Sequence, residues 1–176
     1  MKYSAKELTT LAVSVALAMI FSFVESQIPT FFPGIKLGLA NSVTLFLLYT
    51  LGVKCAIGVS VVRIFLSTLL FGSFPIGLIY SYSGALLSFV VMLIARWLLP
   101  FGIIGVSVLG GVFHNLGQVV AACLIMETAE LIVYFIPLFV SGIVAGVVVG
   151  ILSGIVIARL KDKIKFKDNV HKKRLK

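Results

Sequence analysis

The sequence predicts an all-α integral membrane protein, a single bundle of six transmembrane helices with both termini on the cytoplasmic side. Three observations predict it. First, 60% of the 176 residues are hydrophobic, only 12% are charged, and the mean hydropathy is +1.18; the charged fraction is about half that of a soluble domain. Second, six apolar stretches follow one another with no charged linker longer than a few residues between them. Third, fifteen Lys/Arg stand against six Asp/Glu, and they are sorted by loop.

The first span covers residues 8–24 and follows Lys2 and Lys6. A charged start before an apolar run also opens a signal peptide. Here no small-residue cleavage site follows and five more apolar stretches do, so the stretch reads as a retained span. A loop with Pro29 and Pro33 leads to the second span, 37–51, which is short and is opened by Gly34 and Gly38. The third covers 55–71. The fourth covers 76–99 and is stopped by Pro100. The fifth covers 103–126. The sixth covers 131–158 with Pro137 inside it, where neighbouring helices can satisfy the freed carbonyl. A transmembrane barrel requires alternating apolar and polar positions, whereas runs such as 144–150 are apolar on both phases. The chain divides into a helical domain, 1–160, and a basic tail, 161–176.

An even number of spans puts both termini on one side. Lys2, Lys6, Lys54, Arg96 and the nine basic residues of 159–176 then share that side. The other side holds Lys36 with Glu25, Glu127 and Glu130. Basic residues mark the cytoplasmic face. A basic tail directly after an apolar helix fits an anionic leaflet better than nucleic acid.

Small residues recur at helix-packing spacing, at Ala12 and Ala16 on the first helix and at Gly142, Gly146, Gly150 and Gly154 on the sixth. Such ridges let backbones approach closely in lipid. They serve packing within the bundle or docking of a second protein.

A charge within hydrocarbon costs several kcal/mol, so Arg63, inside the third span with no acid a turn away, calls for a reason. It anchors an anionic group on a solute, or it pairs with carbonyls or hydroxyls of another helix. His114, Asn115 and Gln118 form a second group inside the fifth span. Residues three and four apart neighbour each other on a helix, so the three form either a polar lining or a helix-to-helix hydrogen-bonding set. A third group flanks the outer loop: Glu25, Gln27, Pro33, Gly34, Lys36, Gly38 and Asn41. Lys36 there either attracts a carboxylate or phosphate or snorkels to the interface. Tyr80, Ser81, Tyr82 and Ser83 lie near the same side, at aromatic-belt level.

Catalytic patterns are missing. The sequence has no DDxxD, Gly-x-Ser-x-Gly, P-loop or HExxH motif, so no enzyme and no cofactor is predicted. Cys55 and Cys123 are isolated and read as small buried hydrophobes. His114 is the one histidine within a span, and a metal site wants several ligands together.

The run Pro33-Gly34-Ile35-Lys36-Leu37-Gly38-Leu39-Ala40-Asn41, Arg63, then Phe71-Gly72-Ser73-Phe74, and Gly105-Val106-Ser107 leading to His114-Asn115-Leu116-Gly117-Gln118 resembles the Gx transporter family. That family also carries the label heptaprenyl diphosphate synthase component I. The resemblance implies a protein of the bacterial plasma membrane similar to the S components of energy-coupling factor transporters. Those proteins capture a micronutrient on the outer side and deliver it against a transmembrane coupling protein driven by two ATPases. It implies that Ala12 and Ala16 form the docking face for the coupling protein and that residues 26–36 form a lid. Relatives linked with quinone functions make an isoprenoid- or quinone-precursor-like solute conceivable. The expected cavity opens outward and is lined by Glu25, Lys36, Asn41, Arg63, His114, Asn115 and Gln118. Arg63 and Lys36 would hold an anionic or carbonyl group, and the amides and His114 would orient it. The alternative is a non-catalytic membrane scaffold or accessory subunit for a prenyl diphosphate synthase or for quinone and electron-transfer machinery, recruiting its partner through the basic tail and the glycine ladder.

Overall fold

The computed structural model describes residues 5–27, 38–71 and 74–160. Lys36, most of the expected lid and the basic tail lie outside them. The helices are α1 (Ala5–Gln27), α2 (Asn41–Thr50), α3 (Val53–Leu70), α4 (Ile76–Leu98), α5 (Ile103–Met126) and α6 (Phe135–Leu160), with a 3-10 turn at Ala129–Tyr134 leading into α6. Five segments are long and apolar enough to cross a membrane: α1, α3, α4, α5 and the continuous run through the 3-10 turn and α6.

The second expected span takes a different form. As described, α2 has ten residues, about 15 Å at 1.5 Å per residue, half of a hydrocarbon core of roughly 30 Å. Gly38 at φ +76° shapes the turn that opens it, and Gly52 at φ +91° breaks it from α3. Both values lie where glycine carries no Cβ penalty. Every residue of α2 except Asn41 and Phe46 is buried. A helix buried on all sides belongs in the middle of a bundle, and α2 packs against α1, α3 and α6.

Pro137 lies inside the sixth span, as expected. It is the third residue of the α-helix that starts at Phe135, a first-turn position where proline is tolerated.

Side-chain contacts give the helix directions. Phe23 meets Phe71 with ring centroids 5.7 Å apart, so α1 and α3 end together. Arg96 near the end of α4 meets Leu48 near the end of α2, while Ser88 earlier in α4 borders the same cavity as Asn41 at the start of α2, so α2 and α4 run alike. The pairs Gly84–His114 and Gly110–Met92, and Gly142–Val112 and Gly150–Ile104, set α4 and α6 both antiparallel to α5. Hairpins at Leu51–Gly52 and at 99–102 reverse the chain. Thus α1, α3 and α5 run one way and α2, α4 and α6 the other. The start of α1 and the end of α6 share one end of the bundle with Lys54 and Arg96.

Glycine sets the packing of α4, α5 and α6. A Cβ on Gly146 would lie 2.6 Å from Val108 Cα, one on Gly150 2.8 Å from Ile104 Cα, and one on Gly142 3.0 Å from Val112 Cα. The glycine ladder is therefore filled by α5. Only Gly154, with nothing within 4 Å, is open to a second protein. On the other side of α5, a Cβ on Gly117 would lie 2.8 Å from Ser83 O and one on Gly84 2.7 Å from His114 O. Such distances permit no larger residue without moving backbone.

Candidate functional site

Two polar clusters occupy the bundle interior. The first forms where α2 begins. The hairpin between α2 and α3 sets Asn41 opposite the middle of α3, and Arg63 Nη2 donates to Asn41 Oδ1 at 3.2 Å. Arg63 is 7% exposed, and its Nε has no hydrogen-bond partner among the described residues. Glu25 reaches the same place from α1. Its Oε1 accepts the backbone N–H of Leu39 at 2.6 Å, it is 8% exposed, and its carboxylate interacts electrostatically with the Arg63 guanidinium. The residue before α2, Ala40, makes no side-chain cap, so the positive end of the helix dipole is met by a carboxylate from another helix.

The second cluster is on α5, and the structure separates its members. Asn115 faces α6 and donates through Nδ2 to Leu138 O at 2.8 Å. Its nitrogen also lies 3.1 Å from where a Gly142 Cβ would be. His114 and Gln118 face α4, where their side chains border Gly84. Adjacent helical residues point about 100° apart, so His114 and Asn115 meet different neighbours. The expectation that this trio and Arg63 line one hollow is thus not met in the described residues. Between the clusters lies a cavity of about 20 Å³ bordered by Asn41, Ser88, Met92, Ser107 and Gly110. That volume admits one water and no larger solute. Ser107 Oγ borders it and has no partner among the described residues.

The remaining expected residues are placed as follows. Ala12 and Ala16 are exposed on the outer face of α1, opposite a buried stripe of Ser14, Ala18, Ser22 and Glu25. Tyr82 donates its hydroxyl to Val61 O at 3.0 Å, tying α4 to α3. Cys55 and Cys123 are free thiols, Cys55 buried and Cys123 partly so. Among the described residues no three His, Cys, Asp or Glu converge on a metal position.

One residue that matters was missed. Arg96 counts in the sequence as a basic loop charge, yet it is 6% exposed. Its Nη1 donates to Leu48 O, and its guanidinium lies 4.8 Å over the Tyr49 ring. It satisfies a carbonyl in the last turn of α2, one of the groups a helix C-terminus leaves without an intrahelical partner. The available signal was that Arg96 falls inside the apolar stretch 76–99 and not in the loop after it.

The first cluster can hold anionic oxygen: a buried guanidinium, one N–H of which has no partner among the described residues, stands beside a helix N-terminus. Comparison with curated proteins and comparison with solved structures each found no match. The family described as heptaprenyl diphosphate synthase component I matches residues 14–156, from within α1 to near the end of α6. That stretch carries both polar clusters, the half-length helix and the glycine ladder, and the chain belongs to this family.

Proposed function

We propose that the chain is a membrane-embedded binding component for a small solute with an anionic or carbonyl group, of the vitamin, isoprenoid or quinone-precursor kind, energised by a partner. The observation that carries the reading is Arg63: a guanidinium within a span, with its Nε–H unpartnered among the described residues, beside the start of a half-length helix. Helix termini within the bilayer are how membrane carriers present partial charge to a polar solute. Arg63 and Asn41 are the central contacts, Glu25 lies beside them, and Lys36 supplies a second cation. His114, Asn115 and Gln118 hold α5 between its neighbours. The basic end of the bundle faces the cytoplasm, with α2 as the sixth membrane segment. Ala12 and Ala16 face outward as the docking surface for a transmembrane coupling protein with its ATPases.

The test is mass spectrometry of small molecules retained by the chain purified from native membranes. Wild type should retain a specific anionic or carbonyl compound, Asn115→Ala should keep it, and Arg63→Ala should lose it. Identical small-molecule content in wild type and Arg63→Ala would end the reading.

The family description favours a second reading, a non-catalytic subunit beside a prenyl diphosphate synthase. Since the glycine ladder is filled by α5, such a partner would use the outer face of α1 or the basic tail. Affinity capture separates the two: a stoichiometric prenyl synthase with no ATPase supports the subunit, and ATPases with a membrane partner support the carrier.

A further inference from the structure

We infer that Glu25 is a tethered stand-in for the solute's own anionic group: its carboxylate occupies the oxyanion position at the start of α2, and a carboxylate- or phosphate-bearing solute enters by displacing it. This rests on the proposed binding role of the Arg63 cluster and adds what class of group binds there and what leaves when it does.

The position has the elements of an anion site. A backbone N–H, that of Leu39, points at the Glu25 oxygen from 2.6 Å. The positive end of the ten-residue α2 lies behind it. Arg63, 7% exposed, interacts with the same carboxylate, and its Nε–H has no partner among the described residues. The residue before α2, Ala40, makes no side-chain cap, and the N–H groups of Asn41 and Ser42 are bonded to Gly38 O and Leu39 O. The Leu39 N–H is left to an acceptor from elsewhere, and α1 supplies it in this structure. A solute oxyanion can satisfy the Leu39 N–H and Arg63 in the same way and, being untethered, can also reach the open Nε–H.

The tether is suited to exchange. Among the described residues α1 packs mainly against α3 and α2, and 17% of its apolar stretch is buried, against 44% for α5. Glu25 lies two residues before the end of α1. Its withdrawal disturbs none of the close glycine contacts, which lie on α4, α5 and α6. If two carboxylates compete for one position, removing the charge of the resident one strengthens binding of the other. That sign is opposite to the one expected if Glu25 were a direct contact for the solute.

The experiment measures binding of sodium pyrophosphate and sodium acetate to the full-length chain in neutral-lipid nanodiscs, with sodium chloride as control. Wild type should bind pyrophosphate weakly and Glu25→Gln about ten-fold more tightly, the size of a lost competitor contributing about 1.4 kcal/mol. Arg63→Gln should bind neither oxyanion. Glu25→Asp, which keeps the charge on a shorter arm, should fall between wild type and Glu25→Gln and provides the measurement if the glutamine variant does not fold. Binding by wild type that is equal or weaker in Glu25→Gln, or in Glu25→Asp where that variant is used, overturns the stand-in role and leaves the anion site standing. Failure of wild type and all folded variants to bind either oxyanion overturns both.

Discussion

The two halves of the bundle are held together by different means. In α4, α5 and α6, helices meet backbone to backbone at Gly84, Gly117, Gly142, Gly146 and Gly150. In α1, α2 and α3, helices meet through side chains, an apolar set that includes Ala18, Leu45, Leu48 and Val59 crossed by two polar bridges, Glu25 to Leu39 and Arg63 to Asn41. A glycine interface is made of many dispersion contacts and has no alternative arrangement without backbone movement. A polar bridge is one directional bond that can be remade with another partner. The difference teaches where change is possible: the glycine half is a fixed wall, and the polar half holds the groups that can exchange partners.

Substitutions can break or sharpen that contrast, read as unfolding free energy in mixed micelles. Arg63→Ala should have the largest effect, about 3–5 kcal/mol, because it removes the cation that acts on the buried Glu25 carboxylate. Adding Glu25→Gln should recover part of that loss, and a strictly additive double variant would show that the two are not coupled. Gly146→Val should cost about 3 kcal/mol by overpacking against α5, whereas Gly154→Val should cost little; equal costs would erase the claim that the ladder is filled at one position and open at the other. Arg96→Ala should cost about 2 kcal/mol by removing a charged hydrogen bond to the end of α2, with Arg96→Lys recovering part of it. Asn115→Ala should cost about 1 kcal/mol, the usual size of a helix-to-helix hydrogen bond in a bilayer. Ala12→Leu, on the outer face of α1, should leave stability within about 0.5 kcal/mol and act only on partner capture.

Much of this was legible in the residues. The expected stretch 103–126 coincides with α5, and 55–71 and 76–99 lie within two residues of α3 and α4, because turn-forming Gly and Pro punctuate long apolar runs there. The glycine spacing announced close packing. What spacing could not tell is which neighbour each face meets. His114 and Asn115 are one residue apart, yet one borders α4 and the other bonds to α6. Nor did hydropathy separate a full span from the half-length α2, since both are apolar and only the tertiary fold puts Asn41 opposite Arg63. Arg96 was hidden for the same reason: its acceptor, Leu48 O, is 48 residues away in sequence.

The shortness of α2 has a consequence for what α3 can contain. If α2 continued two turns past Asn41 toward the far side, apolar side chains would fill the space that the Arg63 guanidinium now uses, and the arginine would be driven into acyl chains with no acceptor. Lengthening α2 and retaining Arg63 are therefore incompatible. In a redesign of this bundle, restoring a full-length second helix would require an apolar residue at position 63.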